Sequence, residues 1–192
     1  AAFMATCELP ALSFFALVGL LLLWKSPRAT LLAGVPGVLI VAAAALGTNY
    51  AAHGTFRPAY SERHTTGGWY DYQYRRGSRV IDSYWSHADR RSAIDRGEPS
   101  RATYVFHVLV GHHGIFSLTP IWLFSVWGLF LWMRGARTPQ WWLALAISLL
   151  TLVVLAFYFS RPLIDRNYGG VTNGLRWLFW LIPLWILAMV PT

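Results

Sequence analysis

Residues 141–160 read "WWLALAISLLTLVVLAFYFS", twenty consecutive positions without one charged side chain. Crossing the hydrocarbon core of a bilayer as a helix takes about 20 mostly apolar residues. Aromatic residues stand at both ends of the run, as expected where a helix meets the two membrane–water interfaces. The stretch therefore predicts a transmembrane helix and sets the class of the whole chain. Outward from it, four further segments read the same way: Ala5–Trp24, Thr30–Tyr50, Ile115–Met133 and Gly174–Thr192. Isolated prolines inside them (Pro10, Pro36, Pro120, Pro183) are tolerable because neighbouring helices can satisfy the freed carbonyls.

Composition agrees. Of 192 residues, 56% are hydrophobic and 12% charged, against about 25% charged in soluble domains. The expectation is an all-α, polytopic membrane protein of about five transmembrane helices with one long, loop-rich extracytoplasmic segment. Its parts are residues 1–50 (two spans and a short cytoplasmic loop), 51–104 (the cap) and 105–192 (an interfacial or re-entrant turn and three spans). The chain opens on Ala1 with no basic region before the first apolar run, which argues against a signal peptide. A fragment of a longer protein is expected.

The net charge of +8 comes almost wholly from arginine, since Lys25 is the only lysine. Basic proteins often meet nucleic acid, but here the arginines lie between apolar segments. Anionic lipid headgroups or an anionic lipid-linked substrate fit better, and nucleic acid is set aside. The acid-free loops "KSPR" (25–28) and "MRGART" (133–138) read as cytoplasmic. The connections 51–104 and 161–176 then share the opposite face. The first of these holds nine arginines, six acids and the aromatic run "GGWYDYQY" (67–74), with no sustained helical or strand periodicity and a short helix near Tyr104–Val110. Cys7 cannot form an internal disulfide.

Polar residues beside apolar segments are the candidates for chemistry. "HVLVGHHGIFSLTP" (107–120) places His107, His112 and His113 at the mouth of a span. They read as an interfacial turn facing headgroups, as metal ligands, or as a pocket for an anion. Imidazole suits phosphate, and Gly111 and Gly114 let backbone approach a ligand. Metal is disfavoured because no HExxH or CxxC spacing accompanies them. "DRNYGGVTNGLRW" (165–177) is a shaped loop with two adjacent glycines and the turn dipeptide Asn173–Gly174. Arg176, just inside the last apolar segment, either snorkels to the interface or clamps a phosphate at a helix N-terminus. Glu8 reads either as an intramembrane carboxylate with a functional or bundle-structuring role or as a residue that reaches the outer interface. Asp95, Arg96, Glu98 and Arg101 read as a solvated, self-paired face.

The order of these pieces resembles a known group. "ELPAL", "TNYAAHGTFRPAY", "GHHGIFSLTPIWLF" and "YGGVTNGLRWLFWLIPLW" look like the central to C-terminal part of bacterial GT-C-type membrane glycosyltransferases, which include protein mannosyltransferases and lipid A aminoarabinose transferases. Members often show a glycine–hydrophobic–Phe–Ser–x–x–Pro entry to a helix, matched by Gly114, Phe116, Ser117 and Pro120. A later "GG-x-x-x-G-x-R" loop is matched by Gly169, Gly170, Gly174 and Arg176. The resemblance implies a polyprenyl-phosphate-linked sugar donor and sugar transfer on the outer face of the inner membrane. The substrate-binding set it implies is Arg176, His112, His113, Arg166, Arg161, Gly169, Gly170 and Tyr168, with no metal and no cofactor. The family's usual catalytic acid lies in an earlier loop, so this chain is expected to bind rather than catalyse unless Asp71, Asp82 or Asp95 substitutes. The alternative is a non-catalytic subunit packed within a larger membrane complex, for which the Trp-rich helices are suited. A transporter would want more mid-bilayer ionisable groups than Glu8.

Overall fold

The computed structural model describes residues 1–58, 70–87, 96–170 and 174–192. The fold is mostly helical. In chain order it runs α1 (Ala2–Cys7), α2 (Leu12–Lys25), α3 (Pro27–His53), a hairpin of β1 (Gln73–Arg76) and β2 (Arg79–Asp82), α4 (Arg101–Leu109), α5 (Ile115–Leu118), α6 (Trp122–Arg134), α7 (Pro139–Phe159) and α8 (Ile182–Ala188). A 3-10 turn, Arg176–Leu181, leads into α8.

All five apolar segments contain helix, but among the described residues two helices are long and apolar enough to cross a membrane: α3, with mean hydropathy 2.2, and α7, with 2.4. Prolines explain the shortening of the others. Pro10 follows a break at Glu8, whose backbone is extended. Pro120 disfavours helical backbone at Thr119, and Thr119 indeed leaves the helix (φ −138°, ψ 70°), splitting Ile115–Met133 into α5 and α6. Pro183 sits in the first turn of α8, where a missing N–H does no harm.

The hairpin corrects the all-α expectation. Gln73 faces Asp82 and Arg76 faces Arg79 across an antiparallel register, with Gly77 (φ 64°) in the turn. β1 is exposed throughout and β2 only half-covered. With neither face facing a core, no alternation of apolar and polar residues was needed, so the strands left no periodic signal. Asp82 ties the hairpin together, accepting from Gln73 Nε2 at 2.9 Å and lying 3.1 Å from His87 Nε2.

Contacts divide the chain into two compact units. One comprises Ala2 and Gly19–Arg96, and includes α3 and the hairpin. None of the side chains of α3 is buried, and the helix ends on Gly54, whose left-handed backbone (φ 68°) is the usual glycine cap. The other comprises Ala1, Phe3–Val18 and Gly97–Thr192. Its core joins Tyr104 and Val108 of α4, Ile147, Leu150, Val154 and Tyr158 of α7, and Leu178, Leu181 and Trp185 at the C-terminal end. α7 starts on Thr138, whose hydroxyl accepts from Trp141 N–H, with Pro139 in its first turn. Gly128 brings α6 against α8: a Cβ there would run into the carbonyl oxygen of Ala188. A small residue at a crossing lets two helix backbones approach closely.

Candidate functional site

In this second unit Tyr104 and the three histidines meet on one side chain, Tyr168. Ser100 caps α4 by accepting from Thr103 N–H at 3.3 Å. From that start, Tyr104, His107 and Val108 fall on one helix face (i, i+3, i+4). Tyr104 and Val108 are fully buried. α4 then turns sharply through Gly111–Gly114, with Gly111 N–H donating to Phe106 O and Gly114 N–H to Gly111 O, both at 2.9 Å. Side chains are excluded from both glycines. A Cβ at Gly111 would strike His107 Nδ1, and one at Gly114 would strike Ser117 Oγ.

That turn delivers His112 and His113 to Tyr168. The His113 ring stacks on Tyr168 with centroids 4.5 Å apart and 14° between planes, and His112 lies edge-on at 5.1 Å. Tyr104 meets Tyr168 from the other side at 5.2 Å, and its hydroxyl donates to Asn167 O at 2.8 Å. His112 and His107 face each other Nδ1 to Nδ1 at 2.8 Å. That contact is a hydrogen bond, so one of the two nitrogens carries the proton and the other accepts it. Among the described residues no group of three His, Cys, Asp or Glu side chains is placed to hold a metal ion.

The remaining candidates divide. Gly169 (φ 83°) and Gly170 (φ 95°) both need left-handed backbone. Gly169 is also tight, since a Cβ there would lie 2.8 Å from Arg176 Cβ and 3.3 Å from the Trp177 ring. Its bare backbone therefore lets the Arg176 Cβ and the Trp177 ring pack against the loop at residue 169. The Arg176 guanidinium is exposed and sits 4.6 Å over the Trp177 ring, open to a ligand. Arg161 is instead paired with Asp165 and lies 5.1 Å over Phe157. Arg166 is 8% exposed; its Nη1 donates to Pro99 O at 2.8 Å, and its backbone carbonyl accepts from Glu98 N–H at 2.9 Å. Arg166 thus stitches the loop to residues 98–99. Gly97 (φ 80°) permits this closeness by leaving room for the Leu163 carbonyl. Glu8 lies within electrostatic range of Arg176, and both act on the Tyr158 hydroxyl together with Arg161. Asn173 and Asp95 lie outside the described residues. Asp82 belongs to the other unit, where Gln73 and His87 engage it.

Burial, and then the negative charge of Glu98, push the Tyr168 hydroxyl up to about 12. Burial also drives Tyr104 well above the ordinary phenol range, Tyr168 adding to it and Arg166 opposing. His112, although on the outer side of the cluster, is held below the ordinary imidazole value. Desolvation is the first cause and repulsion from His107 and His113 the next, with Glu98 opposing. The Tyr104 and Tyr168 hydroxyls therefore keep their protons at neutral pH, and His112 is biased toward its neutral form. The Tyr168 hydroxyl and Arg166 Nε are buried without a hydrogen-bond partner among the described residues. An unpaired buried donor is costly, and both donors suit an incoming acceptor oxygen.

Tyr104 and Asn167 are not among the sequence candidates, and Glu98 is one only as part of a solvated, self-paired face. The Tyr104–His107 spacing on one helix face was one available signal; Asn167, whose carbonyl accepts from Tyr104 and whose Oδ1 accepts from Gly169 N–H at 3.0 Å, offered another as an Asx turn before Gly169–Gly170. No protein-family model matches this chain, no curated protein matches it, and no solved structure matches it.

Proposed function

We propose that this chain is part of a membrane glycosyltransferase of GT-C type, working on the outer face of the bacterial inner membrane with a polyprenyl-phosphate-linked sugar donor. In this reading all five apolar segments lie in the bilayer as spans or half-spans. The observation that carries it is the meeting of the 111–114 turn and the 166–170 loop on Tyr168, with Arg176 Cβ close to Gly169 of that loop. A phosphate leaving group needs a cation and donors that do not themselves carry negative charge. Arg176 supplies the first as a fixed guanidinium. His112, His113 and Tyr168 supply the second, in surroundings drier than bulk water where such bonds count for more. Arg161 and Arg166 act one step back, the one paired with Asp165 and the other holding the loop. The acceptor hydroxyl would need a carboxylate base, and this reading assigns the described residues to donor binding alone.

Arg176→Ala in the full-length protein tests the reading. Sugar transfer should be abolished while membrane insertion is unchanged, and Arg176→Lys should restore only part of it, because a point charge replaces a planar fork. Transfer at the wild-type rate in Arg176→Ala would remove the assignment.

A second reading, a non-catalytic subunit in a larger membrane complex, is favoured by one observation: α3 buries none of its side chains, as expected of a helix that packs on other chains. Cross-linking from Leu39 and Ile40, both exposed on α3, would capture a protein partner under that reading and lipid alone under the first.

A further inference from the structure

A cavity of about 260 Å³ lies among α6, α7 and α8, and none of the Tyr168 cluster lines it. Its walls are almost wholly carbon, with Trp122 and Trp185 among them, and its rim includes Val126 and Leu152. Both rim residues are more than half exposed (52% and 61%), so the cavity opens on the apolar flank of the unit. Into this apolar space project three hydroxyl-bearing residues, Ser125 from α6 and Ser148 and Thr151 from α7. Thr151 Oγ1 already accepts from Trp185 Nε1 at 3.0 Å. Ser125 is 3% exposed, and its Oγ has no hydrogen-bond partner among the described residues.

An apolar cavity wants an apolar occupant, and a bare hydroxyl on its wall wants one polar atom on that occupant. Water is a poor answer, since a buried water typically needs two to four polar partners and carbon-lined cavities stay dry. A charged lipid headgroup is a worse one, because no charged residue lines the space and an uncompensated ion there would be expensive. We infer that this cavity binds the chain of an uncharged lipid presenting a single hydrogen-bonding oxygen to it, a long-chain alcohol or an ester carbonyl, with that oxygen bonded to Ser125. Entry is lateral, past Val126 and Leu152. The inference goes beyond the transferase reading and does not depend on it.

The test uses the full chain in lipid nanodiscs and two photoactivatable probes of equal length, a diazirine-bearing decanol and its decane counterpart. The alcohol should label peptides spanning 122–129 and 148–155 about fivefold more than the alkane, the ratio expected of one net hydrogen bond of ~1 kcal/mol. Ser125→Ala, a change that also favours helix, should erase that preference without lowering alkane labelling. Ser148→Leu, which fills the space, should suppress both probes. Excess unlabelled decanol should compete the signal away. Equal labelling by the two probes in the unmodified protein would overturn the inference. So would a preference that survives Ser125→Ala, or labelling that Ser148→Leu leaves in place, since diffuse contact with surrounding lipid gives those results.

Discussion

Gly169→Ala is the substitution that most directly probes how Arg176 is positioned. Two costs arise, and Gly170 allows them to be separated. At φ 83° an alanine suffers the left-handed backbone penalty, about 1–2 kcal/mol. Its Cβ would also stand 2.8 Å from Arg176 Cβ and 3.3–3.4 Å from the Trp177 indole, so the Arg176 backbone must give by roughly 1 Å to reach ordinary contact. Overpacking of that kind costs about 1–3 kcal/mol. Gly170→Ala meets the first penalty (φ 95°) but has nothing within 4 Å of the added carbon. The excess of Gly169→Ala over Gly170→Ala is therefore ~2 kcal/mol, which in a chain of this size is roughly 4–8 °C in Tm. Thermal unfolding of both variants in detergent, followed by tryptophan fluorescence, measures it. In parallel, affinity for a polyprenyl phosphate should fall more in Gly169→Ala, because the shifted residue is the one that clamps. If Gly170→Ala is as damaging as Gly169→Ala in both measurements, the claim that Gly169 positions Arg176 is wrong.

Gly128→Ala should lower Tm by several degrees, because the new methyl collides with the Ala188 carbonyl and stands 3.2 Å from Pro191 Cγ. Gly47→Ala on α3, with open space around it, should leave Tm unchanged or raise it. Tyr104→Phe deletes the buried hydroxyl that donates to Asn167 O and should cost about 1–3 kcal/mol, seen as faster hydrogen exchange at 166–170 with α7 unaffected. His112 has a depressed folded-state value, so the stability it contributes is present above the unfolded imidazole pKa of about 6.5. That stability is lost as pH falls through the lower folded value. Protection at 107–114, taken relative to the intrinsic exchange rate at each pH, should fall on acidification, whereas polyprenyl phosphate affinity should rise over the same interval because an anion favours the imidazolium. An affinity flat from pH 7.5 to 5 would remove His112 from the phosphate site.

Helix within each apolar segment was legible in the sequence, because a long run of nearly uncharged side chains that leaves water must bond its backbone internally, and a helix does so within one segment. The segment lengths were less legible. Pro120 could be read as a tolerable kink, yet Thr119 and its neighbours leave the helix altogether. The hairpin was invisible because a two-stranded ribbon exposed on β1 needs no hydrophobic period. In the site, the glycines announced close backbone approaches and the histidines a polar turn. Nothing in their spacing said that Tyr168, 55 positions beyond His113, would be the ring that joins them.

Residue chemistry alone thus decided that this chain is apolar helix punctuated by arginine- and histidine-bearing connections, since transfer free energy and backbone hydrogen bonding act locally along a segment. Which of the basic groups stays open was decided only by packing. Arg161 closes onto Asp165, Arg166 is drawn inside by the Pro99 carbonyl, and Arg176 remains at the surface. Those fates depend on which carboxylate or carbonyl the fold happens to bring within reach, and reach in space is a property of the tertiary structure.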